Sequence, residues 1–197
     1  SIENGAQIDA VNISLSVAVS IERLSEITGI DLTRENIINY RKEILDTLQN
    51  NDPNDYVTSK FAKISGADKA YVKAIKDLEK IASYGVPVYV GAGNKGKDSI
   101  NILSLAEGVI NVGAYENGSI AEYSSDNALV SRWEDGSIQI NPVFKDGKFE
   151  GYDVNDDGEI DIDKKDISGK HDGKELNAKG TSISAPRALC KDILNKN

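Results

Sequence analysis

The sequence predicts an α/β fold with a mainly parallel sheet. Residues 8–16 form a β-branched run with the composition of a buried strand. Residues 68–84 carry apolar side chains at helical spacing, and Gly85 separates them from a short apolar strand pattern over 86–90. A third strand pattern covers 109–114. A strand, a helix and another strand in this order make a β-α-β unit, from which parallel sheets are built.

The composition suits one globular domain and excludes several classes of partner. The 197 residues are enough for one sizeable core, and 39% hydrophobic with 28% charged residues is ordinary for a globular chain. The formal net charge of −9 argues against nucleic acid and anionic membranes as partners, because both attract basic surfaces. No apolar run approaches the roughly 20 residues of a membrane span. The single Cys190 excludes an internal disulfide.

The heptad at 180–186 is the strongest chemical signal in the sequence. It reads Gly-Thr-Ser-Ile-Ser-Ala-Pro and precedes an apolar-periodic tail, so it predicts a turn that places Ser182 at the start of the last helix. Pro186 fits the first helical turn, where a missing N–H leaves no partner unpaired. Free N–H groups and the positive end of the helix dipole favour a nucleophile that attacks a carbonyl there. The alternative is an ordinary Ser/Thr helix cap.

A glycine-rich segment follows the strand pattern at 86–90. It reads Gly-Ala-Gly-Asn-Lys-Gly over 91–96, and catalytic and ligand-binding groups gather at such strand ends in α/β sheets. The alternative is a glycine-rich turn that binds, at most, a phosphate. A helix-opening glycine at the dinucleotide spacing is missing, so the segment does not predict a nucleotide-binding fold.

Four stretches of the sequence resemble, in order, parts of the subtilisin-like serine peptidases (subtilases). The heptad resembles the block around the nucleophilic serine of that family, and 91–96 resembles its Ala-Ala-Gly-Asn-x-Gly block. Residues 8–16 resemble its Val-Ile-Asn-x-Ser-Leu-Gly strand. Residues 109–125 resemble its strand, turn and x-Phe-Ser-Ser sequence, with Tyr123 in place of Phe. Together with the helix at 68–84, these blocks cover about half of the chain.

The resemblance implies a three-layer subtilisin-like fold and a serine endopeptidase that acts on peptide or protein substrates outside the cell or at its surface. It implies that Ser182 is the nucleophile and that the Asn94 side chain helps to form the oxyanion hole. It also implies substrate contacts at five positions, where Ser16 replaces the usual Gly: Ser14, Leu15, Ser16, Gly91 and Gly93.

The Asp and His that complete the family's catalytic triad have no counterpart in this sequence. In the family both lie upstream of the strand that here begins near residue 8, so the resemblance implies a sheet that is incomplete at its N-terminal side. The only histidine, His171, has no family motif around it and is predicted to be a surface residue. Without a base, Ser182 has an ordinary hydroxyl, and we expect the chain alone to be nearly inactive.

Two functions fit these observations. The first is a portion of a serine endopeptidase that is completed by its missing N-terminal half or by a homodimer mate. The second is a catalytically inactive pseudopeptidase that binds peptides or a protein partner. The presence of both Ser182 and Asn94 favours the first function.

Two segments depart from the family pattern and are predicted insertions in one partial domain that covers 1–197. Residues 17–66 carry two helical stripes, with Gly29 ending the first and Thr33 capping the second. This insertion is interpreted as a surface elaboration, with a lid or partner surface beside the substrate as the alternative. Residues 126–179 are predicted to form a long acidic loop.

The acidic loop contains a calcium-loop pattern, with oxygen-bearing side chains at alternating positions: Asp153, Asn155, Asp157, Glu159 and Asp161. Calcium prefers several hard oxygens around a tight turn. The twelfth position holds Lys164 instead of a bidentate acid, which weakens the predicted affinity. The pattern predicts a structural calcium ion that orders the chain before Ser182. The alternatives are a solvated acidic turn and, for the whole protein, a calcium-dependent adhesion module.

Overall fold

A computed structural model describes residues 7–50, 67–166 and 173–195. The chain divides into two compact units. The first unit combines Ser1–Gly136 with Gly180–Asn197, and the second is Ser137–Lys179. In the described ranges, no helix is long and apolar enough to cross a membrane.

The first unit is built on a mainly parallel sheet. Its neighbouring parallel strands are, in spatial order, β1 (Val11–Ile13), β3 (Val88–Gly91), β5 (Ile110–Glu116) and β7 (Arg132–Asp135). The short β6 (Ser119–Ile120) runs antiparallel to the end of β5, and β2 (Ala18–Ser20) pairs separately with β4 (Ser99–Asn101). The predicted α/β class is confirmed, and the sheet is mixed: its described strands form three parallel pairs and one antiparallel pair.

The first strand is shorter than the sequence predicts. The run 8–16 forms a strand only at Val11–Ile13, and the next side chain, Ser14, makes a hydrogen bond to the last helix. Among the described residues, β1 pairs only with β3. It is therefore an edge strand of the described sheet.

Four α-helices belong to the described part of the first unit: α1 (Ile21–Thr28), α2 (Arg41–Asn50), α3 (Ala67–Ser83) and α4 (Thr181–Leu194). The first three share one buried core with Val88 and Val90 of β3. In α4, Ala185 and Ala188 form a separate cluster with Tyr89. Because successive side chains of a strand point to opposite faces, helices cover both faces of β3.

The predicted insertion 17–66 is helical only in part. Its described residues include β2, and Ser20 caps α1 by accepting a hydrogen bond from a backbone N–H. Gly29 ends α1 with a φ of 70°, as predicted. Thr33 caps a turn before a short 3₁₀ helix and not α2 itself. Its hydroxyl oxygen accepts hydrogen bonds from the backbone N–H groups of Glu35 and Asn36. Residues 51–66 lie outside the described ranges.

The second unit is a four-stranded antiparallel sheet. Its strands are β8 (Ser137–Lys145), β9 (Lys148–Asp153), β10 (Ile162–Asp163) and β11 (Leu176–Lys179). Their order in the sheet is β10, β9, β8 and β11. Asp146 and Gly147, which both have positive φ, form the two-residue turn of the β8–β9 hairpin. The prediction of a long acidic loop over 126–179 is therefore wrong for most of its described residues.

Aromatic packing explains why this polar segment folds. The rings of Phe144 and Phe149 have centroids 6.1 Å apart, and those of Phe149 and Tyr152 are 5.0 Å apart, both in edge-to-face arrangements. Tyr152 is 1% exposed. The buried Tyr152 and the half-buried Phe149 thus supply a small core that the average polarity of the segment conceals, with the exposed Phe144 at its edge.

Candidate active site

Ser182 lies in the first turn of α4. The helix begins at Thr181, and the carbonyl oxygen of Gly180 accepts hydrogen bonds from the N–H groups of Ile183 (3.0 Å) and Ser184 (3.4 Å). Within the described residues, neither the N–H nor the Oγ of Ser182 has a hydrogen-bond partner. A free N–H at the positive end of a helix is a donor available to a developing anion.

Pro186 lies deeper in α4 than the sequence predicts. Because the helix begins at Thr181, Pro186 falls in the second turn. There it has no N–H to donate to the carbonyl oxygen of Ser182, four residues earlier. That carbonyl oxygen accepts instead from Ser14 Oγ, at 3.0 Å.

Asn94 follows β3 and is held by the residue before the proposed nucleophile. Its Oδ1 accepts hydrogen bonds from Thr181 N (2.8 Å) and Thr181 Oγ1 (3.0 Å). Since a backbone N–H can only donate, this pair fixes which end of the amide is oxygen. The Nδ2 of the exposed Asn94 is therefore the free end, with no partner among the described residues.

Ser182 and Asn94 border one small space above Gly180. A Cβ placed on Gly180 would lie 3.0 Å from Ser182 Oγ and 3.2 Å from Asn94 Nδ2. The φ of Gly180 is 162°, which is extended backbone that any residue adopts. Gly180 is thus needed to leave space between a hydroxyl and an amide donor, and not to permit an unusual angle.

Thr181, which the sequence did not single out, connects the two motifs. It is 1% exposed, and its Oγ1 also accepts from Gly93 N at 3.2 Å. A Cβ on Gly91 would come within 3.0 Å of the Thr181 carbonyl oxygen, and Gly93 has a φ of 120°. Gly91 therefore has a packing reason beside α4, whereas a Cβ on Gly93 would lie 2.7 Å from Ser125 Oγ. The predicted contact of both glycines with substrate stays a prediction.

The segment predicted to bind substrate lies beside Ser182. Ser14 is exposed and contacts the Ser182 backbone, Leu15 is 63% exposed, and Ser16 is half-buried. An exposed leucine next to the proposed nucleophile is available to a substrate side chain. Its binding role is not tested by these contacts.

Asn101, which the sequence analysis also missed, crosslinks this segment to β3. Its Nδ2 donates to the carbonyl oxygens of Leu15 (2.9 Å) and Gly91 (2.7 Å). Its Oδ1 accepts from Val17 N (3.1 Å) and Leu103 N (3.3 Å). Asn101 is fully buried and satisfied, so it fixes two candidate substrate-binding segments to each other. The available signal was an amide inside the apolar run 100–103.

A cleft of about 800 Å³ begins at Lys95, next to Asn94. Its lining combines buried positions with exposed charged ones: Val19, Ser99, Ala121 and Ser124 among the former, and Lys95, Lys97, Asp98 and Glu122 among the latter. The cleft carries charges of both signs, and neither Ser182 nor Asn94 lines it.

An ion network anchors the far end of α4 to the sheet. Asp192 accepts from Tyr89 Oη and Arg132 Nη1, both at 2.5 Å, and Glu134 accepts from Lys191 Nζ at 2.5 Å. Burial first, and then the hydrogen bond and charge of Asp192, raise the pKa of Tyr89 to about 12. Burial alone would raise the pKa of Glu134, but hydrogen bonds from Lys191 and Arg132 outweigh it and lower that pKa.

No base contacts Ser182 in the described part of the chain. The only histidine, His171, lies outside the described residues. Among the described residues, Ser182 thus lies beside two free hydrogen-bond donors, its own N–H and Asn94 Nδ2, and beside no group that could accept its proton.

The predicted calcium loop lies in the second unit. The Asp153 carboxylate accepts from Asn155 N (3.1 Å), Asp156 N (2.6 Å) and Gly158 N (2.7 Å). Burial opposes ionisation, but these backbone bonds outweigh it and lower the pKa of Asp153. Lys164, at the twelfth position, pairs with Glu150.

The loop oxygens do not converge as placed. Within the described ranges, no three acidic, His or Cys side chains form a group that could hold a metal ion. Three of the other four predicted ligands also accept hydrogen bonds from backbone N–H groups inside the loop: Asn155, Asp157 and Asp161. The fourth, Glu159, is exposed. Calcium binding therefore stays a prediction.

No protein-family model matches the chain, and the search of curated proteins gave no match. Solved structures with partial similarity include the PatG macrocyclase in complex with peptide, with 16% identity, 58% of this chain and 28% of that chain covered, and a TM-score of 0.38. A protease from Pseudoalteromonas arctica has 14% identity, 90% and 35% coverage, and a TM-score of 0.37. MycP1 with its N-terminal propeptide removed has 18% identity, 77% and 52% coverage, and a TM-score of 0.33.

The chain thus spans between 28% and 52% of the length of these structures. At such low identities and TM-scores the similarity carries no conclusion about function. We base the proposal below on the motifs of the chain and on the geometry around Ser182.

Proposed function

We propose that this chain is part of a subtilisin-like serine endopeptidase. Ser182 is the nucleophile, and the oxyanion hole consists of the Ser182 N–H and Asn94 Nδ2. The observation that carries this proposal is the common space above Gly180. A Cβ built on Gly180 would lie 3.0 Å from Ser182 Oγ and 3.2 Å from Asn94 Nδ2. Two sequence blocks meet there, although Asn94 and the Thr181 that binds it are 87 positions apart.

The geometry suits attack on a peptide carbonyl. When Ser182 Oγ bonds to the carbonyl carbon, the carbonyl oxygen gains negative charge. It then accepts hydrogen bonds from the two free donors, the Ser182 N–H and Asn94 Nδ2. Removing one such side-chain donor costs about 3–4 kcal/mol of transition-state stabilisation, a magnitude measured in a subtilisin. Thr181 holds Asn94 in the donating orientation before substrate arrives.

A second polypeptide segment must supply the proton acceptor. Oxyanion binding without a base leaves only about 10³–10⁴-fold acceleration over water, so the chain alone is expected to be nearly inactive. The edge of β1, which pairs with no second strand among the described residues, is a place where a completing strand would pair. The missing N-terminal half or a second copy of the chain would occupy it.

A fluorophosphonate probe tests this proposal. In a longer polypeptide that carries Asp-x-Gly and His-Gly-x-His motifs upstream of Ser1, we expect covalent labelling of Ser182. Labelling is expected to vanish in Ser182→Ala and to slow by about 10²–10³-fold in Asn94→Ala, which keeps the nucleophile. Absence of labelling in a folded polypeptide with both motifs would refute the endopeptidase.

An inactive peptide-binding module is the second candidate, because Leu15 is largely exposed beside the site. It predicts peptide binding that survives Ser182→Ala, together with no labelling of the longer polypeptide. Peptide binding measured by calorimetry with both proteins separates the two functions.

We also propose that the 153–161 loop binds a structural calcium ion, on the basis of its oxygen spacing. Calorimetry of the chain with millimolar calcium tests this, with Asp153→Asn as the control. A heat of binding that is seen with the unchanged chain and not with Asp153→Asn supports the calcium site. The absence of a heat of binding with both proteins refutes it.

A further inference from the structure

Ser14 contacts the backbone of the proposed nucleophile over a long distance in sequence. Its Oγ lies 3.0 Å from the carbonyl oxygen of Ser182, 168 positions away. Ser14 directly follows β1, so the contact joins the edge strand of the sheet to the first turn of α4.

This contact replaces a hydrogen bond that α4 cannot make. In a regular helix the Ser182 carbonyl would accept from the N–H four residues later, but Pro186 has none and its ring crowds that carbonyl. A helix carbonyl without a partner loses the free energy of its hydrogen bond. The Ser14 hydroxyl supplies the missing donor from outside the helix.

Asn12 orients the Ser14 hydroxyl for this task. Asn12 Nδ2 donates to Ser14 Oγ at 2.8 Å. Since this bond uses a lone pair of the oxygen, the proton of Ser14 remains available for the Ser182 carbonyl. A directed chain of two hydrogen bonds therefore runs from β1 to α4.

We propose that Ser14 is a positioning residue for Ser182, whose hydroxyl takes the place of the helical N–H missing at Pro186. Fixing the Ser182 backbone also fixes where its Oγ and N–H stand relative to Asn94. This role differs from the substrate contact that the family resemblance implies for Ser14. It concerns the site of the proposed function but can be tested without peptide hydrolysis.

A double-mutant cycle tests the replacement directly. Ser14→Ala is expected to lower the folding equilibrium constant about five- to tenfold, measured by urea unfolding. In a Pro186→Ala background the helix regains its own N–H, so the same change is expected to cost less than about twofold. Ser119→Ala is the matched control, because Ser119 is an exposed serine of β6 whose hydroxyl makes no hydrogen bond among the described residues, and the change is expected to have little effect in either background.

The position of the nucleophile needs its own readout. In a Ser182→Cys protein that also carries Cys190→Ser, the thiol pKa is measured from the pH dependence of alkylation by iodoacetamide. A helix N-terminus lowers a thiol pKa, so a displaced first turn is expected to raise it and to slow alkylation at neutral pH about threefold in Ser14→Ala. Ser14→Thr keeps the hydroxyl and is expected to restore the rate, while Ser119→Ala leaves it unchanged.

Either of two results would overturn the proposal: equal effects of Ser14→Ala with and without Pro186→Ala, or an unchanged thiol pKa in folded Ser14→Ala. If Ser14→Ala does not fold, Asn12→Ala replaces it, since it removes only the orienting donor. It is expected to shift the alkylation rate in the same direction by less, and no shift counts against the proposal. If fluorophosphonate labelling fails but the double-mutant cycle gives the expected result, the proposed endopeptidase function is refuted and the positioning role of Ser14 is retained.

Discussion

At Gly180, the absence of a side chain matters for space. Its backbone is extended, yet the volume of a Cβ is bordered by Ser182 Oγ and Asn94 Nδ2. A reacting carbonyl group needs that volume between the nucleophile and the oxyanion donor. Glycine at this position is therefore explained by the space that the reaction needs and not by the backbone angle that folding needs.

Gly180→Ala is therefore expected to affect reactivity more than stability. The free energy of unfolding should change by no more than about 1 kcal/mol, because the tight contacts involve side-chain ends that can move. Fluorophosphonate labelling of Ser182 in the longer polypeptide should fall by about tenfold or more. Gly93→Ala is the contrasting variant, since its φ of 120° and a Cβ 2.7 Å from Ser125 Oγ predict a loss of stability of about 2 kcal/mol or more. Normal labelling of Gly180→Ala would contradict the role of this space.

Asn101→Ala is expected to lower the free energy of unfolding by about 3 kcal/mol. It removes four hydrogen bonds to backbone groups and leaves the buried carbonyl oxygen of Gly91 without its partner. Asn127→Ala, which removes one donor and one acceptor contact, should cost about half as much in the same urea titration. A loss below about 1 kcal/mol for Asn101→Ala would show that water or neighbouring groups replace the amide.

The sequence could predict the candidate site only where short motifs carry the chemistry. Ser182 and Asn94 stand in recognisable blocks, but the residues that bring the blocks together do not. Thr181 acts through one hydroxyl shared between Gly93 and Asn94, and Asn101 acts through an amide buried in an apolar run. Such contacts depend on which loops meet in space, and spacing along the chain does not encode that.

At the level of elements, α4 is held at both ends by different forces. Its first turn is fixed by uncharged hydrogen bonds around Ser182, and its last turns by ion pairs to β7. The charged end is the one that responds to pH. Tyr89 is its most buried titratable member, at 2% exposed.

Tyr89→Phe is expected to flatten the alkaline loss of stability. The pKa of Tyr89 is raised to about 12 in the fold, above its ordinary value of about 10. The folded state thus holds the proton more tightly, so the contribution is complete below about pH 10 and is lost as the pH rises to about 12. Over this range the unchanged chain should lose about 2 kcal/mol more than Tyr89→Phe, measured by urea unfolding. Parallel pH curves would contradict the assignment.

Elements with a strong apolar period are predictable from the sequence, and polar strands are not. The face of α3 and the run of β3 define the first core by pattern alone. The β8–β9 hairpin alternates weakly and carries many charges, so only Phe144, Phe149 and Tyr152 indicate its small core. Thr33 shows the same limit at a helix end, because a cap residue can serve a turn several residues before the helix.

At the scale of the molecule, the second unit is inserted through a narrow connection. Its two ends follow Gly136 and precede Gly180, and the N–H of Gly180 donates to the carbonyl oxygen of Gly136 at 2.8 Å. Tyr123 Oη donates to the same carbonyl oxygen at 3.0 Å. Hydrogen bonds within the first unit therefore hold together the two positions at which 137–179 leaves and re-enters it.

Replacing 137–179 by a short glycine-serine link is expected to leave the first unit folded. The ends to be joined are already within hydrogen-bonding distance, so a link of about four residues closes the gap with little entropy cost. Circular dichroism and cooperative urea unfolding provide the measurement. A shortened chain that is unfolded or has lost its cooperative transition would show that 137–179 is needed for folding.

The connection at Gly136 and Gly180 also has a mechanical meaning. A force applied to the insertion enters the first unit through both glycines, of which Gly136 is bonded to Tyr115 of β5 and Gly180 to the first turn of α4. Ser182 lies only two residues beyond Gly180, on the same strand-to-helix path. A tether or binding partner that pulled on the insertion would therefore load the turn that holds the serine, through Gly180, together with the sheet, through Gly136.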